Sequence, residues 1–154
     1  MKARDIMVTD VPVISMKMPL KEAVRILKNN LGDESYLNAA PGLIVVNDTG
    51  DLVGMLTPLT IIKVLVDSAH SADKPPVPGP AFFEELCSRI KTKLVEDAMD
   101  WQPISVTEDS LLLDVADLFV KNRFQRIPVV KNNKVVGVIY RSRLLFAMAR
   151  CLLQ

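Results

Sequence analysis

The chain repeats itself. Residues 4–30, RDIMVTDVPVISMKMPLKEAVRILKNN, lie over residues 96–122, EDAMDWQPISVTEDSLLLDVADLFVKN, at a constant offset of 92. Met7 then meets Met99, Ile14 meets Val106, Leu20 meets Leu112, Glu22 meets Asp114 and Asn30 meets Asn122. Farther along, LIVVNDTGDLVGMLTPLT (43–60) lies over IPVVKNNKVVGVIYRSR (127–143), which brings Gly54 onto Gly137. A duplicated unit of this length must be built twice, and each copy has to bury what its neighbour leaves open.

Each copy reads as the same small α/β (α+β) unit. A short strand is expected at 13–15 and again at 104–107. Leu20, Ala23, Val24, Leu27 and Leu31 recur at helical spacing, as do Leu112, Val115, Ala116 and Phe119. A hairpin follows. LIVV and LVGML are joined through Asp48-Thr49-Gly50, and IPVV and VVGVI through Asn132-Asn133. A last helix closes the unit. Thr57 ahead of Pro58 is a capping residue followed by proline at the first helical position, and Ser142 is the expected cap in copy two. The first repeat spans 1–66, with an insertion at 31–42, and the second spans 95–154. Residues 67–94 form a proline-rich link, with 67–80 expected to be an exposed irregular connection, and an extra helix at 81–94.

Composition excludes several classes. Apolar residues make up 49% and charged residues 24% of 154, a globular balance. Aromatics are only 5%, so the core must be aliphatic. The mean hydropathy of +0.24 and the apolar helices PLTIIKVLV and RLLFAMARCLL point to a homodimer joined through helices. No apolar run approaches the ~20 residues of a membrane span, and the first residues carry acids where a signal peptide has an apolar stretch. A cytoplasmic protein without membrane attachment is expected. Two cysteines, Cys87 and Cys151, make neither a disulfide framework nor a metal site. His70 has no partner at ligand spacing. No nucleophile–base series, glycine-rich phosphate loop or carboxylate pair stands out, so an enzyme is not expected.

These residues resemble the cystathionine-β-synthase (CBS) domain in each copy. Copy one carries DIM with Met7, VISMKMPLKEAVRIL, LIVV and DLVGMLT. Copy two carries DAM with Met99, ISVTEDSLLLDVADLF, RIPVV with Pro128, and KVVGVI with Gly137. The resemblance covers nearly everything except 31–42 and 67–94. It implies two β-α-β-β-α repeats packed about a pseudo-two-fold with their sheets face to face. It also implies a stand-alone tandem pair that dimerises, binds adenosyl ligands between the copies and regulates another protein. The ligands expected are AMP, ADP or ATP, with S-adenosylmethionine ranked below them and none required for folding. The regulated protein is not specified by the sequence.

Family members that bind such ligands often show glycine, two apolar residues, a hydroxyl residue, two more residues and aspartate. Here GMLTPLT keeps the hydroxyl at Thr57 but has Thr60 in the aspartate place; GVIYRSR has Tyr140 and Arg143 at the two positions. Charge supplies an independent signal. No acid follows Asp117, and residues 118–154 carry +8 against −7 in the remainder. A local positive field draws anions, and Arg126, Arg141 and Arg143 are the expected phosphate set bordering one cleft, with Thr57, Thr60, Pro128 and Tyr140. Trp101 and Tyr140 offer rings for a base. The alternative is an interaction module that acts through oligomerisation and has lost its ligand. Nucleic acid is disfavoured, because RLLFAMARCLL is too apolar to face a groove.

Overall fold

The computed structural model describes residues 1–31, 42–71 and 79–154. The chain runs β1 (Val13–Ser15), α1 (Leu20–Leu31), β2 (Leu43–Val46), β3 (Leu52–Leu56), α2 (Pro58–His70), α3 (Pro80–Ile90), β4 (Asp100–Trp101), α4 (Leu112–Asn122), β5 (Arg126–Lys131), β6 (Lys134–Tyr140) and α5 (Arg141–Leu152). Single turns of 3-10 helix at Ala3–Asp5 and Val95–Asp97 open the two copies. The insertion expected at 31–42 falls outside the described residues except at its two ends, and 72–78 of the link does so as well.

The hairpins follow the turn chemistry of the sequence. Gly50 takes a φ of 81°, and the Asn47 side chain accepts the backbone N–H groups of Thr49 and Asp51. In copy two Asn132 and Asn133 both adopt left-handed backbone, at 51° and 63°, which closes the two-residue turn between Lys131 and Lys134. Both hairpins carry an irregular register at the equivalent step, Val45/Val46 and Val129/Val130.

The copies exchange their lead-in segments. β1 pairs parallel with β2, β2 antiparallel with β3, and β3 antiparallel with β4, which belongs to copy two. Reciprocally, Val8 bridges Val138 on β6, with N–H to carbonyl distances of 2.8 and 2.9 Å. The repeated methionines seat this exchange. Met99 lies over Gly54 and Met7 over Gly137, each so close that a Cβ on the glycine would sit 2.3 and 2.8 Å from the sulfur. The aspartates before them hold the short helical turns: Asp5 accepts the N–H of Lys2 at 2.7 Å and Asp97 that of Leu94 at 2.9 Å.

Each core is therefore closed by the other copy. Ile14, Leu20, Leu27, Leu43 and Leu56 pack with Val95, Ala98 and Met99. Val115, Phe119, Ile127 and Ile139 pack with Ala3. A third cluster, Ile44, Leu52, Met55 and Val138, joins the two sheets face to face, as expected. Asp51 and Lys134 pair at 2.6 Å across the tips of the two hairpins, and the Leu52 N–H donates to the Asn133 carbonyl at 2.9 Å.

Three local expectations need correction. The strand expected at 104–107 reduces to one parallel bridge, Val106 to Val129. Extending it toward Ile104 would need an N–H from Pro128, which has none. The connection expected to be irregular from residue 67 is helical through His70, because the first proline of the link is Pro75. The helix expected over 81–94 spans Pro80–Ile90 instead. No helix among the described residues is long and apolar enough to cross a membrane.

Candidate functional site

A cavity of about 670 Å³ opens between the copies. Copy one supplies the end of β3 and the start of α2, with Met55, Thr57, Pro58 and Leu59. Copy two supplies β4 and its continuation, Asp100 to Ile104. It also supplies the α4–β5 turn, Asn122 to Gln125, and then Arg126 and Pro128 on β5. This volume lies within the usual range for small-molecule pockets, and an interface between domains is a common place for one.

Thr57 sits here because it caps α2. Its Oγ1 accepts the N–H of Thr60 at 3.3 Å, and the Thr60 hydroxyl accepts the Thr57 N–H at 3.0 Å while donating to the Thr57 carbonyl at 2.9 Å. The reciprocal cap uses Thr57 as an acceptor and leaves its own O–H to donate elsewhere. The α2 N-terminus adds partial positive charge at the same place. Thr60 is buried and committed to the cap; it does not line the cavity.

Arg126 is 7% exposed, an unusual burial for a cation. Its guanidinium donates to the Gly42 carbonyl at 3.2 Å and lies 5.6 Å from the centre of the Tyr140 ring. A Cβ at position 42 would stand 2.7 Å from Cζ, so the glycine leaves the room that the guanidinium fills. Burial pulls the Arg126 pKa below the ordinary arginine range, and the Tyr140 phenol acts in the opposite direction.

The arginine trio of the sequence reading is not gathered around this cavity. Arg126 lines it, with Thr57 and Pro128, whereas Tyr140, Arg141 and Arg143 do not. Arg141 is exposed and donates to the Gln125 side chain at 2.9 Å. Arg143 is exposed one turn into α5. The N-cap of α5 is Tyr140, not Ser142, and the Tyr140 side chain makes no capping bond, so copy two lacks the hydroxyl cap of copy one.

The α4–β5 turn, which motif reading passed over, joins the site with Asn122, Arg123, Phe124 and Gln125. Arg123 ends α4 in left-handed backbone (φ 54°), and Gln102 on the facing wall does the same (φ 53°). Such conformations are uncommon for residues with a Cβ and mark places where the surrounding structure dictates the backbone. Trp101 remains 54% exposed over the cavity, held by its indole N–H donating to the Glu96 carbonyl at 3.2 Å. No group of three or more metal-binding side chains occurs among the described residues.

The family model of the CBS domain matches residues 3–67 and 95–150. The chain belongs to the CBS domain family. The CBS pair is 31% identical to the uncharacterized protein MJ1426 of Methanocaldococcus jannaschii over 128 residues, 72% of this chain and 74% of that one. Its fold matches that of CBSX2, a CBS-pair protein of Arabidopsis thaliana solved in complex with AMP. That match has a TM-score of 0.72 and 22% identity, and covers 98% of both chains. It also matches the cytosolic domain of the Mg2+ channel MgtE in complex with ATP. There the TM-score is 0.66 and the identity 20%, over 95% of this chain and 48% of that one. This confirms the expected fold, two CBS repeats of mixed α and β structure.

Proposed function

We propose that this CBS pair is a regulatory sensing module that takes an adenine nucleotide in the cleft between its copies and thereby modulates another protein. The cleft itself carries the reading: about 670 Å³ lined by a hydroxyl at a helix N-terminus, an open indole face and two arginines, Arg123 and Arg126. A hydroxyl and a guanidinium suit phosphate, and an indole suits a base. The fold it shares with CBSX2 bound to AMP and with the MgtE domain bound to ATP supports the same choice. Within this reading Thr57, Arg123 and Arg126 meet the phosphate and Trp101 the base, while Arg141 and Arg143 supply only a general positive field. The module acts without chemistry of its own and works as a homodimer. The outward faces of α2 and α5 support the dimer, since Leu59, Ile62, Leu145 and Met148 are all at least half exposed.

The test is a thermal-denaturation series with AMP, ADP, ATP, adenosine and S-adenosylmethionine. A ligand at 100 times its Kd adds about 2.7 kcal/mol to the folded state, a rise of about 5–11 °C for a chain of this size. The nucleotides should stabilise more than adenosine, and less so at high salt. A flat response to every compound at millimolar concentration would replace the sensor by a module acting through oligomerisation alone. Thr60, which cannot leave its cap, favours that second reading.

A further inference from the structure

Another cavity, of about 320 Å³, lies away from the cleft and is bounded by α1, α2 and α3. Its third wall, α3, falls between the two matched repeats, so this groove is an addition to the CBS pair. The walls are aliphatic: Leu20 and Val24 from α1, Ile61 from α2 and Ile90 from α3. The charges have one sign. Among the described residues Lys21 and Lys91 line the groove and no acid does. Glu22 on α1 is taken by Arg25 at 2.5 Å and Glu85 on α3 by Arg89 at 2.7 Å, while neither lysine forms an ion pair with a described residue. Both lysines stand at one end. The Leu20 N–H donates to the Lys93 carbonyl at 2.9 Å, which ties the first turn of α1 to the residues just after α3. Val24 and Cys87 lie one turn farther into their helices. A cationic end and an aliphatic trough fit an anion that carries a tail. No aromatic residue lines the groove among those described, so a flexible alkyl chain suits it better than a flat ring.

We infer that this groove is a ligand site of its own, for a free aliphatic carboxylate whose head meets Lys21 and Lys91 and whose chain lies along Leu20, Val24, Ile61 and Ile90. The inference is independent of the nucleotide reading. Because α3 is one wall, such a ligand also holds the extra helix against copy one.

The experiment compares octanoate, octanol and octylammonium by calorimetry on the full chain. Cys87 lines the groove and Cys151 is exposed on α5, so iodoacetamide labelling of the two thiols, read by mass spectrometry, locates the binding. Octanoate should bind more tightly than octanol, octylammonium should not bind, and Cys87 alone should be protected. Affinity should rise about fourfold per methylene from butanoate to octanoate. Lys21→Gln combined with Lys91→Gln should weaken octanoate by about 2- to 30-fold, the product of two exposed charge pairs, and leave octanol unchanged. Octanoate that fails to bind at millimolar concentration overturns the inference, as does protection of both thiols equally or of neither. So does octanol binding as tightly as octanoate, or a double variant that binds octanoate as the unaltered chain does. A Cys87 that resists labelling without ligand overturns it too, since the groove is then already covered.

Discussion

Gly54→Ala should cost the protein about 1–3 kcal/mol, the usual range for one methyl forced into a packed core. The added Cβ would lie 2.3 Å from the Met99 sulfur, 2.9 Å from its Cγ and 3.0 Å from its Cε. One displaced terminal atom would be cheap to move, but here three consecutive atoms are involved. Met99 is buried among Val95, Ala98 and the core of copy one, so it has little room to swing aside. For a two-state chain of this size the midpoint should drop by about 2–12 °C. Gly54 also faces Trp101 across the β3–β4 pair. Pushing Met99 outward therefore moves the strand that carries Asp100 and Trp101, and nucleotide affinity should fall with stability. Met99→Ala alone leaves a cavity and costs about 2–5 kcal/mol, yet combined with Gly54→Ala the new methyl occupies part of that space. The double variant should be more stable than the sum of the two losses by at least about 0.5 kcal/mol. Urea melts of all four proteins decide it. Additive losses, or a Gly54→Ala midpoint equal to that of the unaltered chain, would refute the close seating of methionine on glycine.

Arg126→Ala should lose about 1.5–3 kcal/mol, since it removes a charged donor and leaves the Gly42 carbonyl without it. Arg126→Lys should restore only part, because an ammonium cannot lie flat over the Tyr140 ring; denaturant midpoints within about 0.5 kcal/mol of the unaltered protein would refute both. Asp51 is held below the ordinary aspartate value of 3.8, first by its hydrogen bond from Lys134 and then by that from Thr49. A depressed folded-state pKa gives stability that is present above the unfolded value and is lost as pH falls through the folded one. Thermal melts from pH 7 downward should therefore show Asp51→Asn losing less than the unaltered chain between about pH 4 and the lowered value, and parallel curves would contradict this. The molar mass in solution should be twice the 17.1 kDa of one chain, by light scattering at micromolar concentration; a single-chain mass removes the helix-to-helix dimer.

The hairpins, the helices and the Thr57 cap were legible because each depends on neighbours in sequence. Gly50 and the Asn132-Asn133 pair mark their turns whatever the rest of the chain does. The exchange was not legible, for a physical reason. Aligning the copies shows that Met7 equals Met99 and Gly54 equals Gly137, but pairing within a copy and pairing across copies leave the same pattern. Of the arginine set, only Arg126 lines the cavity between the copies. Arg141 and Arg143 are two residues apart on one helix, about 200° around its axis, a separation that residue type and charge do not register. Arg123 was missed because its left-handed backbone carries no glycine to announce it.

The crossed lead-in segments also set an order on synthesis. When residues 1–71 have left the ribosome, β3 still shows a bare edge at Gly54 and Met55, and the core beneath α1 lacks Val95, Ala98 and Met99. Met7 meanwhile has no Gly137 to rest on. The nascent first half must wait, incomplete, for the second, and neither half can mature ahead of the other. The same clasp lets a chain cut within its link stay together as two pieces, each holding the other's missing strand.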